Sequence, residues 1–222
     1  MASQNEHIEH VREIRSIMER SSQFLSLSGL SGVFAGIVAL FGALVVYLYQ
    51  YDFYFGRYYH GGVFLQEDLL TGEALRNFYV FTLLTGAIVL VVALGFVVYF
   101  TNRNARRKRL PRWNTTVRRM LINLIIPLAA GGMFCLALLY HGLFYLVAPV
   151  TLIFYGLALV NASKYTLRDI RYLGLLEIAL GLAASIWVGY GLIVWAIGFG
   201  LLHIGYGLAM YLKYEGPDKQ AQ

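Results

Sequence analysis

The sequence has little cysteine and little charge, and each shortage excludes a class of protein. Cys135 is the single cysteine among 222 residues, which excludes a disulfide scaffold and any metal centre built from several thiolates. Charged residues make up 14% of the chain, against about 25% in soluble domains. With 59% hydrophobic residues and a mean hydropathy of +0.61, the composition excludes a soluble globular domain and a disordered chain. A polytopic membrane protein remains.

Six apolar stretches are long enough to cross a membrane, which takes about 20 apolar residues in a helix. They are Ser26–Tyr49, Phe78–Phe100, Arg119–Tyr140, Gly142–Asn161, Tyr172–Gly189 and Gly191–Leu212. They are too long, and too rich in glycine, alanine and leucine, for the alternating strands of a membrane barrel. The sequence therefore predicts an all-α bundle of six transmembrane helices in three hairpins, with tight turns at residues 140–142 and 189–191.

Lysine and arginine fall almost entirely on one side of these spans. Sixteen of them flank the spans on the side that carries both termini, and only Arg57 and Arg76 lie on the other. Cationic loops stay in the cytoplasm. We therefore expect both termini in the cytoplasm.

Polar segments divide the chain around a transmembrane domain of residues 26–212. Residues 1–25 are predicted to form a cytoplasmic amphipathic lead-in helix that packs under the bundle or binds a partner. The external loop 50–77 is crowded with aromatic residues, which suits an interfacial belt or a platform for a ligand. Residues 101–118 form a basic cytoplasmic loop, and residues 213–222 form a cytoplasmic tail.

Five cations lie close together in the basic loop. They are Arg103, Arg106, Arg107, Lys108 and Arg109. A basic cluster beside a span attracts anionic lipid. Because no folded basic domain accompanies the cluster, we expect contact with anionic lipids and none with nucleic acid.

Small residues mark the faces on which membrane helices pack. In the first span they are Ser28, Gly32 and Gly36, and in the last span Gly198, Gly200, Gly205 and Gly207. We expect these residues to lie at helix contacts.

Two ionisable residues, Glu177 and His203, lie deep in the fifth and sixth spans. Each is thirteen residues from the hairpin tip at Tyr190, so each lies about 20 Å below the outer surface on adjacent antiparallel helices. Ionisable groups at such depth face the bundle interior and mark functional sites. Burial favours the neutral form of both groups, whereas contact favours an ion pair. The pair is interpreted either as a proton-relay site or as a hydrogen-bonded structural pair.

A glycine pattern recurs in the first and fifth spans: Gly29-Leu30 precedes Gly36-Ile37, and Gly174-Leu175 precedes Gly181-Leu182. In these Gly-Leu-x5-Gly pairs the chain resembles the bacterial acid-resistance membrane protein family. The resemblance implies six spans and an inner-membrane location, and it implies no site residue.

The sequence has neither the zinc-binding His-Glu-x-x-His helix nor a Gly-rich phosphate loop, and we expect no metal and no cofactor. The favoured hypothesis is a non-enzymatic membrane module with an accessory, sensing or scaffold role. The alternative is a proton-coupled transporter of small molecules or ions that uses Glu177 and His203, and an intramembrane enzyme ranks third. Expected partners are membrane lipids and either a second copy of the chain or another membrane protein.

Overall fold

The computed structural model describes residues 28–50, 72–107, 113–187 and 189–215, and every regular element in these ranges is helical. The lead-in helix 1–25, most of the aromatic loop and the tail beyond residue 215 lie outside the described residues, as do Lys108 and Arg109. The prediction of an all-α fold is confirmed for the described part of the chain.

The described helices follow the predicted order. They are α1 (Gly29–Gln50), α2 (Gly72–Arg107), α3 (Thr115–Tyr140), α4 (Val147–Ala162), α5 (Asp169–Ile186), α6 (Gly191–Trp195) and α7 (His203–Tyr214). Short 3-10 turns, Phe144–Leu146 and Ser163–Tyr165, flank α4. A π-helical segment, Ala196–Leu202, joins α6 to α7, and these three elements together form the last helix.

Five of these helices are long and apolar enough to cross a membrane. Their apolar segments are Gly29–Tyr49, Arg76–Arg107, Thr115–Tyr140, Phe144–Tyr165 and Gly191–Tyr214. The helix α5 is not among the five: it has only 18 residues, and three of them, Asp169, Arg171 and Glu177, are charged. The structure thus has six helical units, counting the last helix as one, and five candidate membrane spans.

Helix boundaries differ from the predicted loops at both ends of α2. This helix begins at Gly72 inside the predicted external loop 50–77 and continues to Arg107 inside the predicted loop 101–118. The polar ends of a helix continue its backbone hydrogen bonding, although they contribute nothing to an apolar run. Turns lie near both predicted hairpin tips, where Gly142 (φ 73°) and Gly189 (φ 107°) adopt the left-handed conformation that glycine tolerates.

The helices pack in a row, with α2 against α1, α1 against the last helix, the last helix against α4 and α5, and α3 against α4. Between α4 and α5 the two helix backbones approach each other closely at glycine positions. A Cβ atom on Gly156 would lie 2.5 Å from the carbonyl oxygen of Gly174, and one on Gly174 would lie 2.7 Å from that of Gly156. Helices in lipid associate through such close packing.

A polar clamp joins the start of α5 to the end of α7. The ammonium group of Lys213 donates to both carboxylate oxygens of Asp169, at 2.8 and 3.1 Å, and the Tyr214 hydroxyl donates to one of them at 2.8 Å. The hydrogen bond from Lys213 lowers the pKa of the Asp169 carboxyl below its ordinary value, against the opposing effect of partial burial.

We predict that Gly156→Ala destabilises the protein by about 1–3 kcal/mol, because the new methyl group meets the backbone of α5, which cannot move aside. Gly132→Ala is the matched control, since a Cβ at Gly132 meets no described atom within 4 Å. Thermal unfolding in detergent measures both variants. Equal stability of the two would contradict the close contact between α4 and α5.

We predict that Asp169→Asn lowers the melting temperature at pH 7. A carboxyl whose pKa is depressed in the folded state contributes stability above its unfolded pKa, and this contribution is lost as the pH falls through the folded pKa. The difference from the unmodified protein should therefore shrink below about pH 4. Glu73→Gln, in an exposed pair with Arg76 at 3.9 Å, should leave the melting temperature unchanged. A difference as large at pH 3 as at pH 7 would show that the clamp does not act through the charge of Asp169.

Candidate functional site

The predicted pair, Glu177 and His203, meets where α4, α5 and the last helix come together. The Nδ1 atom of His203 lies 3.4 Å from Oε1 of Glu177. The exposed fraction is 0% for Glu177 and 7% for His203, so both groups are enclosed by protein. The structure therefore places side by side the two residues that the sequence puts at one depth.

Two hydrogen bonds hold the His203 ring. Its Nδ1 atom lies 3.0 Å from the carbonyl oxygen of Gly198, and its Nε2 atom lies 2.8 Å from the hydroxyl of Tyr155 on α4. A carbonyl oxygen can only accept, so Nδ1 carries a hydrogen. In the neutral ring Nε2 then accepts the hydrogen of the Tyr155 hydroxyl, and in the charged ring Nε2 donates to that hydroxyl. Tyr155, Glu177 and His203 are called the triad below.

The π-helical segment positions the acceptor for Nδ1. It ends at Leu202, immediately before His203, and contains Gly198. Short π-helical segments are rare and often occur at functional sites. Here the segment places the Gly198 carbonyl, five residues upstream, within reach of the histidine side chain.

Gly198 also makes room for the carboxyl group of Glu177. A Cβ atom at this position would lie 2.5 Å from Oε2 of Glu177 and 2.5 Å from Cδ2 of Leu152. A residue with a side chain at this position would therefore push the carboxyl group out of its place. The absence of a side chain is what allows α5 and the last helix to enclose Glu177.

Neither oxygen of the Glu177 carboxyl has a hydrogen-bond partner among the described residues. The one hydrogen on His203 Nδ1 is directed at Gly198, and Oε1 lies beside it at a longer distance. An ionised carboxylate in such surroundings is costly unless a positive charge is next to it. Glu177 is therefore stable here either as a neutral acid or beside a charged imidazolium, and the triad can hold one proton on either residue.

Aromatic rings close the site around the imidazole. Phe199 lies 5.9 Å from the His203 ring and 4.9 Å from the ring of Tyr155, and Trp195 lies 4.9 Å from Phe199. These rings restrict the orientation of the imidazole and keep water from its faces. Among the described residues, no group of three or more histidine, cysteine, aspartate or glutamate side chains could hold a metal ion.

Sequence analysis missed Tyr155, although the same depth count points to it. Tyr155 is thirteen residues from the turn at Gly142, just as Glu177 and His203 are thirteen residues from Tyr190. A tyrosine is a common membrane residue and is not ionised at neutral pH, so it does not stand out among the polar groups of a span. The π-helical segment left no signal in an apolar run of glycine, isoleucine and leucine.

Most of the small residues that the sequence assigned to packing lie between α1 and the last helix. A Cβ atom on Gly32 would lie 3.2 Å from Cα of Gly207, one on Gly36 would lie 2.6 Å from the Gly200 carbonyl oxygen, and one on Gly200 would overlap Leu40. A Cβ atom on Gly207 would lie 2.6 Å from the backbone nitrogen of Val33. Gly205 differs, because no described atom lies within 4 Å of its Cβ position.

The polar residues at the ends of this contact also have defined places. Ser28 is buried at the start of α1. The last two turns of α2 carry three exposed cations, Arg103, Arg106 and Arg107.

We predict that Gly198→Ala destabilises the protein by about 1–3 kcal/mol and breaks the contact between Glu177 and His203, because the methyl group occupies the place of Oε2. Gly205→Ala, seven residues further along the same helix, should be neutral or slightly stabilising, since alanine has the higher helix propensity. Thermal unfolding and the ring resonances of His203 measure the two effects. Unchanged resonances in Gly198→Ala would contradict the packing of the carboxyl group against Gly198.

Comparison with protein-family models, with curated proteins and with solved structures finds no match for this chain. The function therefore has to be inferred from the residues of the chain itself.

Proposed function

We propose that this protein is a non-enzymatic, six-span module of a bacterial inner membrane, in which the triad binds and releases a proton and so acts as a sensing element. The observation that carries this proposal is the fully buried Glu177 carboxyl, which lies 3.4 Å from His203 and has no hydrogen-bond partner among the described residues. Buried ionisable groups at membrane depth are expensive and rarely lack a role.

The surface of α5 supports its assignment as a membrane span, which brings the number of spans to six. Its large side chains Leu175, Leu176, Leu182 and Ile186 are exposed and together offer lipid an apolar face. Its 18 residues extend about 27 Å, close to the hydrocarbon thickness of about 30 Å. Of its charged groups, Glu177 is buried, whereas Asp169 and the exposed Arg171 lie in the first turn at the end of the helix, so none of them has to meet lipid tails.

Contacts between the two ends of the described chain support the proposed topology. The Glu215 carboxylate accepts hydrogen bonds from the backbone nitrogen of Gly29, at 2.6 Å, and from the hydroxyl of Ser28, at 3.0 Å. The start of α1 and the end of α7 therefore lie at the same end of the bundle. With the positive-inside rule, this end is the cytoplasmic one.

Charge balance explains how the triad senses protons. A neutral Glu177 with a neutral His203, and a charged Glu177 with a charged His203, contain the same number of protons and carry no net charge. Loss of one proton leaves a net negative charge on the triad. A low-dielectric interior penalises that charge strongly, whereas water stabilises it. We therefore infer that proton release favours a conformation in which water reaches the triad, and that proton uptake favours the closed packing seen here.

Proton-coupled transport is the second candidate, and the interruption of the last helix favours it. Transporter sites often lie where membrane helices are broken near the middle of the bilayer. The π-helical segment Ala196–Leu202 interrupts the last helix directly before His203. A transporter also needs access to the triad from each side in turn, which the sensing hypothesis does not require.

We predict that a cysteine placed at Leu152, which is fully buried beside the triad, becomes more reactive as the pH rises. The background is Cys135→Ser, the probe is a membrane-impermeant thiol reagent, and labelling is normalised at each pH to the unfolded protein. Glu177→Gln cannot lose a proton at this position, so labelling in that variant should stay low and independent of pH. Glu73→Gln, an exposed carboxyl, is the matched control and should behave as the unmodified protein.

Two measurements, the labelling described above and proton flux, separate the hypotheses. Labelling of Leu152→Cys that does not change with pH would overturn the proton-sensing proposal. Proton flux in proteoliposomes that Glu177→Gln abolishes would replace the sensing proposal by transport.

A further inference from the structure

A polar cavity of about 110 Å³ opens where α1 begins and where α2 and α7 end. Its polar lining is contributed by Ser28, Arg103, Asn104, Arg107, Tyr211 and Glu215. The cavity lies at the end of the bundle opposite to the hairpin tips, and none of the triad residues lines it. It is therefore a separate site from the one proposed above.

The lining favours an anion. Arg103 and Arg107 are four residues apart on α2, so they share one face of the helix. Among the described lining residues the one acidic group is Glu215, which accepts two hydrogen bonds from the start of α1 that offset part of its charge. The positive end of the α1 helix dipole is opposed here by the negative ends of α2 and α7, so the preference for an anion comes from the two guanidinium groups. Guanidinium groups pair with phosphate oxygens through two parallel hydrogen bonds.

The position of the cavity along α2 identifies the source of the phosphate. The 36 residues of α2 extend about 54 Å, much more than the hydrocarbon thickness of about 30 Å, so its arginine-bearing turns reach the headgroup layer. Phe100, one turn before Arg103, and Leu30 give the cavity an apolar wall. A phospholipid has this arrangement, with a charged headgroup next to its acyl chains.

We propose that this cavity binds the headgroup phosphate of an anionic phospholipid, with Arg103 and Arg107 as the principal ligands. Asn104 and Tyr211 add uncharged hydrogen-bonding groups beside them. The proposal rests on the membrane location of the protein, and it does not require the triad to bind or release a proton. Of the five cations in the basic loop that were predicted to contact anionic lipid, the proposal assigns two, Arg103 and Arg107, to a defined site.

Native mass spectrometry of the full chain tests this proposal. The protein is exchanged into detergent with equal amounts of phosphatidylglycerol and phosphatidylcholine, and retained lipid is counted. We expect retention of phosphatidylglycerol over phosphatidylcholine, and Arg103→Gln and Arg107→Gln should each reduce that preference about fivefold, as one interfacial charge contributes about 1 kcal/mol. Arg106→Gln is the matched control, because Arg106 is exposed on the same helix and does not line the cavity. Its preference should remain unchanged.

Three outcomes would overturn the proposal. An equal loss in Arg106→Gln would show a diffuse basic surface instead of a site. Inorganic phosphate that protects the lipid-free protein against thermal unfolding as well as phosphatidylglycerol does would assign the cavity to a free anion. If the glutamine variants do not fold, the Arg103→Lys and Arg107→Lys double variant retains charge but loses bidentate pairing, and an unchanged lipid preference in it would exclude the arginine pair as ligands.

Discussion

Backbone contact at glycine positions is the constraint on which the rest of this structure depends. Lipid removes most of the hydrophobic driving force between helices, so the helices associate where their backbones can approach. Gly156 and Gly174 bring α4 against α5, while Gly32, Gly36 and Gly207 bring α1 against the last helix. Gly198 then leaves room for the carboxyl group of Glu177. The triad exists because three helices meet at distances that larger residues would not allow.

Close packing also decides what the triad can do. The Glu177 carboxyl group is enclosed by backbone and by Leu152 and is shielded from water. A negative charge on it is therefore stable only beside a positive charge on His203. Tyr155 can accept from the charged ring or donate to the neutral one, and the hydrogen bond from Nδ1 to Gly198 persists in both states. The surroundings of the imidazole thus accommodate both protonation states of the ring without rearrangement. A net charge on the triad, in contrast, requires a rearrangement. In the proposed function, this asymmetry links proton exchange to helix movement.

The all-helical fold could be predicted from the sequence, because the length of an apolar run indicates a membrane helix directly. The pairing of Glu177 with His203 was predictable by counting residues from Tyr190, since helical rise is constant. The packing face of Gly205 was not predictable. Gly198 and Gly205 are seven residues apart and share a face in a regular α-helix, but the π-helical segment between them changes the number of residues per turn and rotates α7 relative to α6. Gly198 therefore faces Glu177, while Gly205 meets none of the described residues.

The last helix connects the triad to the polar cavity at the end of α7. His203 is the first residue of α7, and Tyr211 lies near the end of this helix. Glu215 directly follows the helix and lies about 18 Å from His203 along the helix axis. Because α7 is continuous between them, a rotation that admits water at His203 also displaces Tyr211 and Glu215. If both proposals hold, an anionic lipid that favours one position of these two residues changes the affinity of the triad for a proton, and the triad changes the affinity for the lipid by the same factor. A regular helix below a π-helical segment can carry this coupling, since the segment can change its hydrogen bonding while the helix below it stays intact.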